Sequence, residues 1–190
     1  FVSQITQWSL DNWGEDIVAN RRSGAIYYWD ADASTTPLRA AIVTNSPTTV
    51  NSIVVSPNDR HLIALGVNQF GTTASPSGTY NPMTVRWSNQ EDMSNWTPSV
   101  SSTSGETILT DGTRIVGGVR SKNAITIWTD NSLWQMQYVG PPFTFSFRQL
   151  GTNCGMIGPH AGIDYSGVPI WMGYENFYAF DGQVRNLPST

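Results

Sequence analysis

Four short apolar segments of this chain end in tryptophan and run into polar turn residues. They are Ala25-Ile-Tyr-Tyr-Trp29, Met83-Thr-Val-Arg-Trp87, Ala124-Ile-Thr-Ile-Trp128 and Gly167-Val-Pro-Ile-Trp171. Short apolar runs bounded by turn residues and rich in β-branched and aromatic side chains are the signature of strands. The tryptophans are 58, 41 and 43 residues apart. The last two intervals match the roughly 40–50 residues of one four-stranded propeller blade. A β-sandwich also places a strand every 8–12 residues or so, but it gives tryptophan no reason to recur at that interval.

Strand-like runs precede each tryptophan: Asp16-Ile-Val-Ala-Asn20, His61-Leu-Ile-Ala-Leu-Gly-Val67, Arg114-Ile-Val-Gly-Gly-Val119 and Ala161-Gly-Ile-Asp-Tyr165. Ahead of Trp87 the connection Asn68 to Pro82, rich in Gly, Thr, Ser and Pro, is about a dozen residues longer than its counterparts, which accounts for the long interval. It reads as a loop insertion near 68–82, and Asn68, Phe70 and Tyr80 are its candidate contact residues. Further strands are expected at Leu133–Val139, Phe177–Phe180 and, more weakly, Trp96–Pro98, with outer strands supplied by Ile53–Val55 or Phe143–Phe147. Residues 1–190 therefore read as one all-β region of about four antiparallel, propeller-like blades belonging to a larger propeller. Because a blade cannot bury both faces alone, Trp29, Trp87, Trp128 and Trp171 are expected to pack between blades. Trp8, Trp13, Trp96 and Trp134 lie nearer turns, where core packing and ligand stacking are both open.

Composition narrows the function. Charged residues make up 13% of the chain, and 20 Ser, 20 Thr and 14 Asn fill the gap, which suits short strands and turns. Net charge is −4, with one lysine (Lys122) and nine scattered arginines, so the chain lacks the clustered positive charge that grips a phosphate backbone. No apolar run is long enough for a membrane-spanning helix. The first residue is Phe rather than Met, so a piece of a longer chain is expected. Cys154 is alone, and with His61 and His160 it shows no metal-ligand spacing. Cys154 and His160 have the residue types of a nucleophile and base but no identifiable third group, so a buried thiol is expected. Neither cofactor nor enzyme motif is present, and no enzymatic role is expected. Ser88–Trp96 matches the Asp-box hairpin of sialidase propellers poorly, since Gln90 stands where Asp should and Asp92 where Gly should.

Longer stretches carry a different likeness. Trp13-Gly-Glu-Asp-Ile-Val-Ala19 followed by Gly24-Ala-Ile-Tyr-Tyr-Trp-Asp30 resembles a recurrent opening in virion proteins of tailed bacteriophages. Val85-Arg-Trp-Ser-Asn-Gln-Glu91 with Trp96-Thr-Pro98 is similar to their R-W-S-D-Q-E … W-T-P stretch. Tyr138-Val-Gly-Pro-Pro-Phe143, Cys154-Gly155, Ile170-Trp-Met-Gly173 and Phe180-Asp-Gly182 follow in the same order. Asn89 departs from the pattern by replacing an Asp, and family members are much longer.

The resemblance implies an internal portion of a tail nozzle or DNA-stabilising hub propeller of short-tailed phages. It implies a virion location, a homo-oligomeric ring that is usually sixfold in that family, contacts with other tail and adaptor proteins, and passage of genomic DNA without specific binding. A mildly acidic, lysine-poor chain suits a conduit through which DNA must slide. Two other classes stay open. One is a carbohydrate-binding propeller module stacking sugars on Trp13, Trp96 or Trp134. The other is a glycan hydrolase fragment using Glu91 or Asp92.

Overall fold

The fold is described from a computed structural model, which covers residues 6–32 and 39–188. Among the described residues every helical or extended element is a strand, and sixteen strands form four antiparallel sheets of four consecutive strands each. The first sheet comprises β1 (Trp8–Trp13), β2 (Asp16–Arg21), β3 (Ile26–Trp29) and β4 (Ala41–Ile42). The second comprises β5 (Val50–Val55), β6 (Leu62–Phe70), β7 (Ser77–Trp87) and β8 (Gly105–Ile108). β9 (Ile115–Arg120), β10 (Ile125–Thr129), β11 (Ser132–Gly140) and β12 (Thr144–Thr152) make the third. The fourth is β13 (Gly162–Tyr165), β14 (Val168–Met172), β15 (Phe177–Phe180) and β16 (Val184–Asn186).

Local turn chemistry sets the registers. Between β13 and β14, Ser166 and Gly167 both take positive φ, at 54° and 87°, the backbone of a type I′ hairpin turn. Two residues, Gly14 and Glu15, link β1 to β2. Register then decides which side chains face which neighbour, because alternate residues point to opposite faces.

Three apolar cores follow, one between each successive pair of sheets. Val18 and Ile26 of the first sheet meet Val50, Ile53, Leu62 and Ala64 of the second. From the opposite face of the second sheet, Ile63, Leu65, Val85 and Trp87 meet Ile125, Ile127, Met136 and Phe145 of the third. Trp128 and Leu133, on the far face of the third, meet Trp171 and Tyr178 of the fourth. The first strands of the four sheets lie against one another in chain order, β1 on β5, β5 on β9 and β9 on β13.

Glycine makes that close approach possible at β9. A methyl group on Gly118 would sit 2.6 Å from the Leu65 side chain, and one on Gly117 would sit 3.0 Å from the Pro159 carbonyl. One position opens toward the second sheet and the other toward the fourth side of the stack. Bulk is absent at these two positions of β9, whereas β1 carries Trp8 and Trp13.

Polar side chains cap the free edge of β5. The Ile53 N–H donates to Ser9 Oγ at 2.9 Å and the Val55 N–H to Asp11 Oδ2 at 2.7 Å. Asp11 also accepts from Arg120 at 3.0 Å, so one carboxylate ties the first three sheets. Satisfying edge amides this way keeps β5 from presenting an open ladder.

Several expected elements fall differently. Ile53–Val55 lies on β5, an edge strand and the first of its sheet, and Phe143–Phe147 runs into β12, the edge strand that closes the third sheet. Asn68 to Pro82 is not a loop: β6 and β7 continue through it as a paired hairpin whose tip is Gly71–Pro76. Trp96–Pro98 forms no strand, and Gly105–Ile108 closes the sheet instead. The tryptophans do not share one structural position, since Trp29 and Trp87 end third strands whereas Trp128 and Trp171 lie on second strands.

Candidate functional site

The first strands bring together the broadest set of elements in the molecule. Ser9 and Leu10 from β1, Ser52 and Ile53 from β5, Gly117 to Val119 from β9 and Gly162 from β13 line a cavity of about 440 Å³. Arg22 and His160 lie at its wall, and Arg22 donates to Gln7 Oε1 at 3.3 Å. The Ser52 hydroxyl there is buried and has no hydrogen-bond partner. The lining is therefore mostly hydroxyl, amide, glycine and aliphatic, with Arg22 as its permanent charge. Such a wall offers a polyanion little to hold.

A second depression, about 340 Å³, brings Trp13, Tyr28, Glu91 and Asp92 into one groove. Its carboxylates are already engaged. Glu91 pairs with Arg60 at 3.1 Å, and Asp92 accepts from the Ser94 N–H and hydroxyl at 2.9 and 2.6 Å. Asn89 works in the same turn, accepting from the Thr103 N–H at 2.8 Å. The segment 88–95 is thus a structural turn, and backbone amides and hydroxyls explain its polar residues. Glu91 and Asp92 carry no visible acid–base arrangement.

A buried array has the residue types of a hydrolytic triad. His61 Nδ1 meets Asp59, which also accepts from Ser56, and His61 Nε2 lies 2.9 Å from Thr103 Oγ1. That hydroxyl is also 3.0 Å from Asn89 Oδ1 and accepts from the Gln90 N–H at 2.9 Å. The imidazole is fully buried and packs edge-on against Phe145, ring centres 5.1 Å apart. With every side of Thr103 Oγ1 occupied, the array presents no nucleophile and instead pins the 88–104 segment to the β5–β6 turn.

The tryptophans divide by burial and face. Trp87 lies between the second and third sheets, edge-on to Phe145 at 5.3 Å, with its indole N–H donating to the Thr103 carbonyl at 2.8 Å. Trp128 and Trp171 meet across the next seam with ring centres 5.8 Å apart. Trp171 stacks on Tyr178 and donates to the Cys154 carbonyl at 2.7 Å, whereas the Trp128 indole N–H is buried without a partner. Trp29 differs: paired with Ile17, it is half-buried on the face of the first sheet turned away from the second. The sugar-stacking candidates Trp13, Trp96 and Trp134 are all buried, because each fills a core or a turn rather than standing on a surface. Trp13 also lines the second depression beside Tyr28, whereas Trp96 and Trp134 are enclosed.

Asn68, Phe70 and Tyr80 lie on the long β6–β7 hairpin, whose base is firmly held. Asn68 is buried and accepts from the Thr49 N–H at 2.7 Å, and Tyr80 accepts from Asn51 at 2.8 Å. Arg86, itself 1% exposed, donates to the carbonyls of Asn68, Pro76 and Trp96, each at 3.1 Å. Its guanidinium lies over the rings of Phe70 and Trp96. Burial lowers the Arg86 pKa from the usual arginine range, and Glu106 partly offsets this.

Alternation alone would have sent Arg86 to solvent, and no sequence signal marks it as buried. Cys154 is buried, and burial raises its thiol to about 11. Among the described residues no group of three His, Cys, Asp or Glu gathers to hold a metal ion, and no helix is long and apolar enough to cross a membrane. Compared with protein-family models and with curated protein sequences, the chain matches none.

Proposed function

We propose that the four sheets are successive blades of a propeller-like arc, and that the chain is a structural, non-enzymatic part of a tailed-phage tail ring around a DNA channel. The observation that carries this reading is the convergence of all four first strands on one cavity. In a radial array the first strand of each blade lies at the axis, and bulk must fall toward that axis; on β9, Gly117 and Gly118 meet that requirement. A wall with little positive charge suits a conduit, since DNA moving past it would find no ladder of cations to bind. The order of motifs resembling short-tailed phage virion proteins supports the same placement, as a nozzle or hub that assembles with copies of itself and with adaptor proteins.

The reading is tested on phage particles carrying this sequence. Antibody labelling should mark the tail, and the tail ring seen by electron microscopy should enclose an axial channel. Absence of the chain from purified particles would overturn the reading.

A further inference from the structure

The hydroxyl of Thr103 has one consistent set of hydrogen-bond partners. A threonine hydroxyl has one hydrogen to give and two lone pairs to fill. Three groups surround Thr103 Oγ1: the Gln90 N–H at 2.9 Å, Asn89 Oδ1 at 3.0 Å and His61 Nε2 at 2.9 Å. The backbone amide can only donate. Asn89 Oδ1 can only accept, and its orientation is set because it also takes the Thr103 N–H at 2.8 Å. Thr103 therefore gives its one hydrogen to Asn89. The second lone pair needs a donor, and His61 Nε2 is the atom in place. An Nε2 without hydrogen would compete with Asn89 for the same proton and leave that lone pair empty.

The other end of the ring leads to the same count. His61 Nδ1 meets Asp59, whose second oxygen accepts from Ser56. The imidazole and carboxylate side chains are 0% and 3% exposed. A hydrogen must lie between Nδ1 and the carboxylate, since two bare acceptors repel. With that hydrogen alone, Asp59 would be a buried anion held only by neutral donors. A second hydrogen on the ring leaves the pair net neutral.

We propose that Asp59 and His61 together hold two hydrogens, one shared along the Nδ1 contact and one on Nε2. The pair is then a proton latch that fastens the 88–104 segment to the β5–β6 turn. Thr103 passes the hold onward, because its carbonyl accepts the Trp87 indole N–H at 2.8 Å and its hydroxyl and amide fix Asn89. Removing the Nε2 hydrogen would put a second acceptor against Thr103 and leave a negative charge in the core. The latch therefore holds at lower pH and opens as pH rises. Few groups face the ring among the described residues. Asp59 comes from the β5–β6 turn, Tyr138 from β11 with ring centres 5.7 Å apart, and Phe145 from β12. Beside that turn, Arg60 is paired with Glu91. A ring with hydrogen on Nε2 also has no lone pair to take a proton from Thr103, which separates this array from a hydrolytic triad.

The test uses the whole chain labelled with nitrogen-15 histidine. His61 and His160 are its two histidines, and His160→Asn identifies the signals of His61 by elimination. Long-range proton–nitrogen spectra at neutral pH should show hydrogen on both ring nitrogens of His61. Raising the pH should remove the Nε2 hydrogen and shift the backbone signals of Gln90 and Thr103 in the same step. A bare Nε2 at neutral pH, or a ring that titrates while Gln90 and Thr103 stay unmoved, would overturn the latch. Thr103→Val keeps the shape and deletes the hydroxyl, so amide exchange across 88–104 should quicken on the order of tenfold to a hundredfold. Thr103→Ser should stay near the native rate, and equal exchange in the two variants would overturn the hold through Thr103. Should Thr103→Val fail to fold, the spectra of the unsubstituted chain still decide the proton count.

Discussion

The second and third sheets bury both faces, whereas the first and fourth bury one. Ile63 and Leu62 are adjacent on β6 and both are fully buried, one in each neighbouring core. On β1 the adjacent Leu10 and Asp11 part company, Leu10 in solvent and Asp11 in the seam. Propensity does not separate these strands, since β13 and β14 are as rich in Ile, Val, Tyr and Trp as β10. Burial in such a stack belongs to the neighbour, not to the strand. The same side chain is core in one place and interface in another.

Substitutions across that divide should differ most. Trp128→Ala empties the seam between the third and fourth sheets and should cost about 3–5 kcal/mol by urea denaturation, whereas Leu10→Ala on the outer face should stay within about 1 kcal/mol for the isolated chain. Equal losses would erase the distinction between seam and outer face. Arg86→Met should cost about 2–4 kcal/mol, because it strands three buried carbonyls. Amide exchange at Asn68 and Phe70 should then accelerate while exchange in β10 does not.

A finer contrast lies within one seam. Trp171→Phe abandons the Cys154 carbonyl, but Trp128→Phe removes a donor that has no partner. Trp171→Phe should therefore be the more costly by about 1 kcal/mol.

The smallest effect is a titration on the inward face of the first sheet. Tyr28 donates to Asp16 at 2.6 Å, and that bond raises its phenol to about 12 while lowering the Asp16 carboxyl. A raised folded-state value means that the stabilisation is complete below pH 10 or so and is lost as pH climbs toward 12. Ultraviolet titration should show a late phenol, and Asp16→Asn should bring it back toward the ordinary tyrosine value. A late phenol that survives the substitution would remove Asp16 as the cause.

How much of this was legible in the chain depends on range. Strand periodicity, the Ser166-Gly167 turn and the Asp181-Gly182 hairpin are local signals, and the structure carries all of them as strands and turns. The recurring tryptophans marked sheet-sized units correctly but not equivalent places within them, because spacing counts residues and not strands. Trp29 shows the limit: its segment matches that of Trp87, yet it lies on an outer face. The 68–82 stretch misled because Gly, Ser, Thr and Pro signal turns, whereas here Asn68 at its base and Arg86 from beyond it hold the backbone in a hairpin. Asp11 and the Asp59–His61–Thr103 array depend in part on partners 40 or more residues away, and Arg86 on carbonyls 10 and 18 residues away, and nothing local announces such pairs.

Gly117 and Gly118 have a consequence for the size of any circle these sheets could complete. Two absent methyl groups let β9 close on Leu65 and Pro159, and in a radial array that closeness would set how sharply the third sheet narrows. Adding a methyl at either position would prise the inner rims apart and flatten the curve. A circle drawn from flatter wedges would have a wider bore and more members, so in a ring built from such sheets the smallest side chains would govern the caliber.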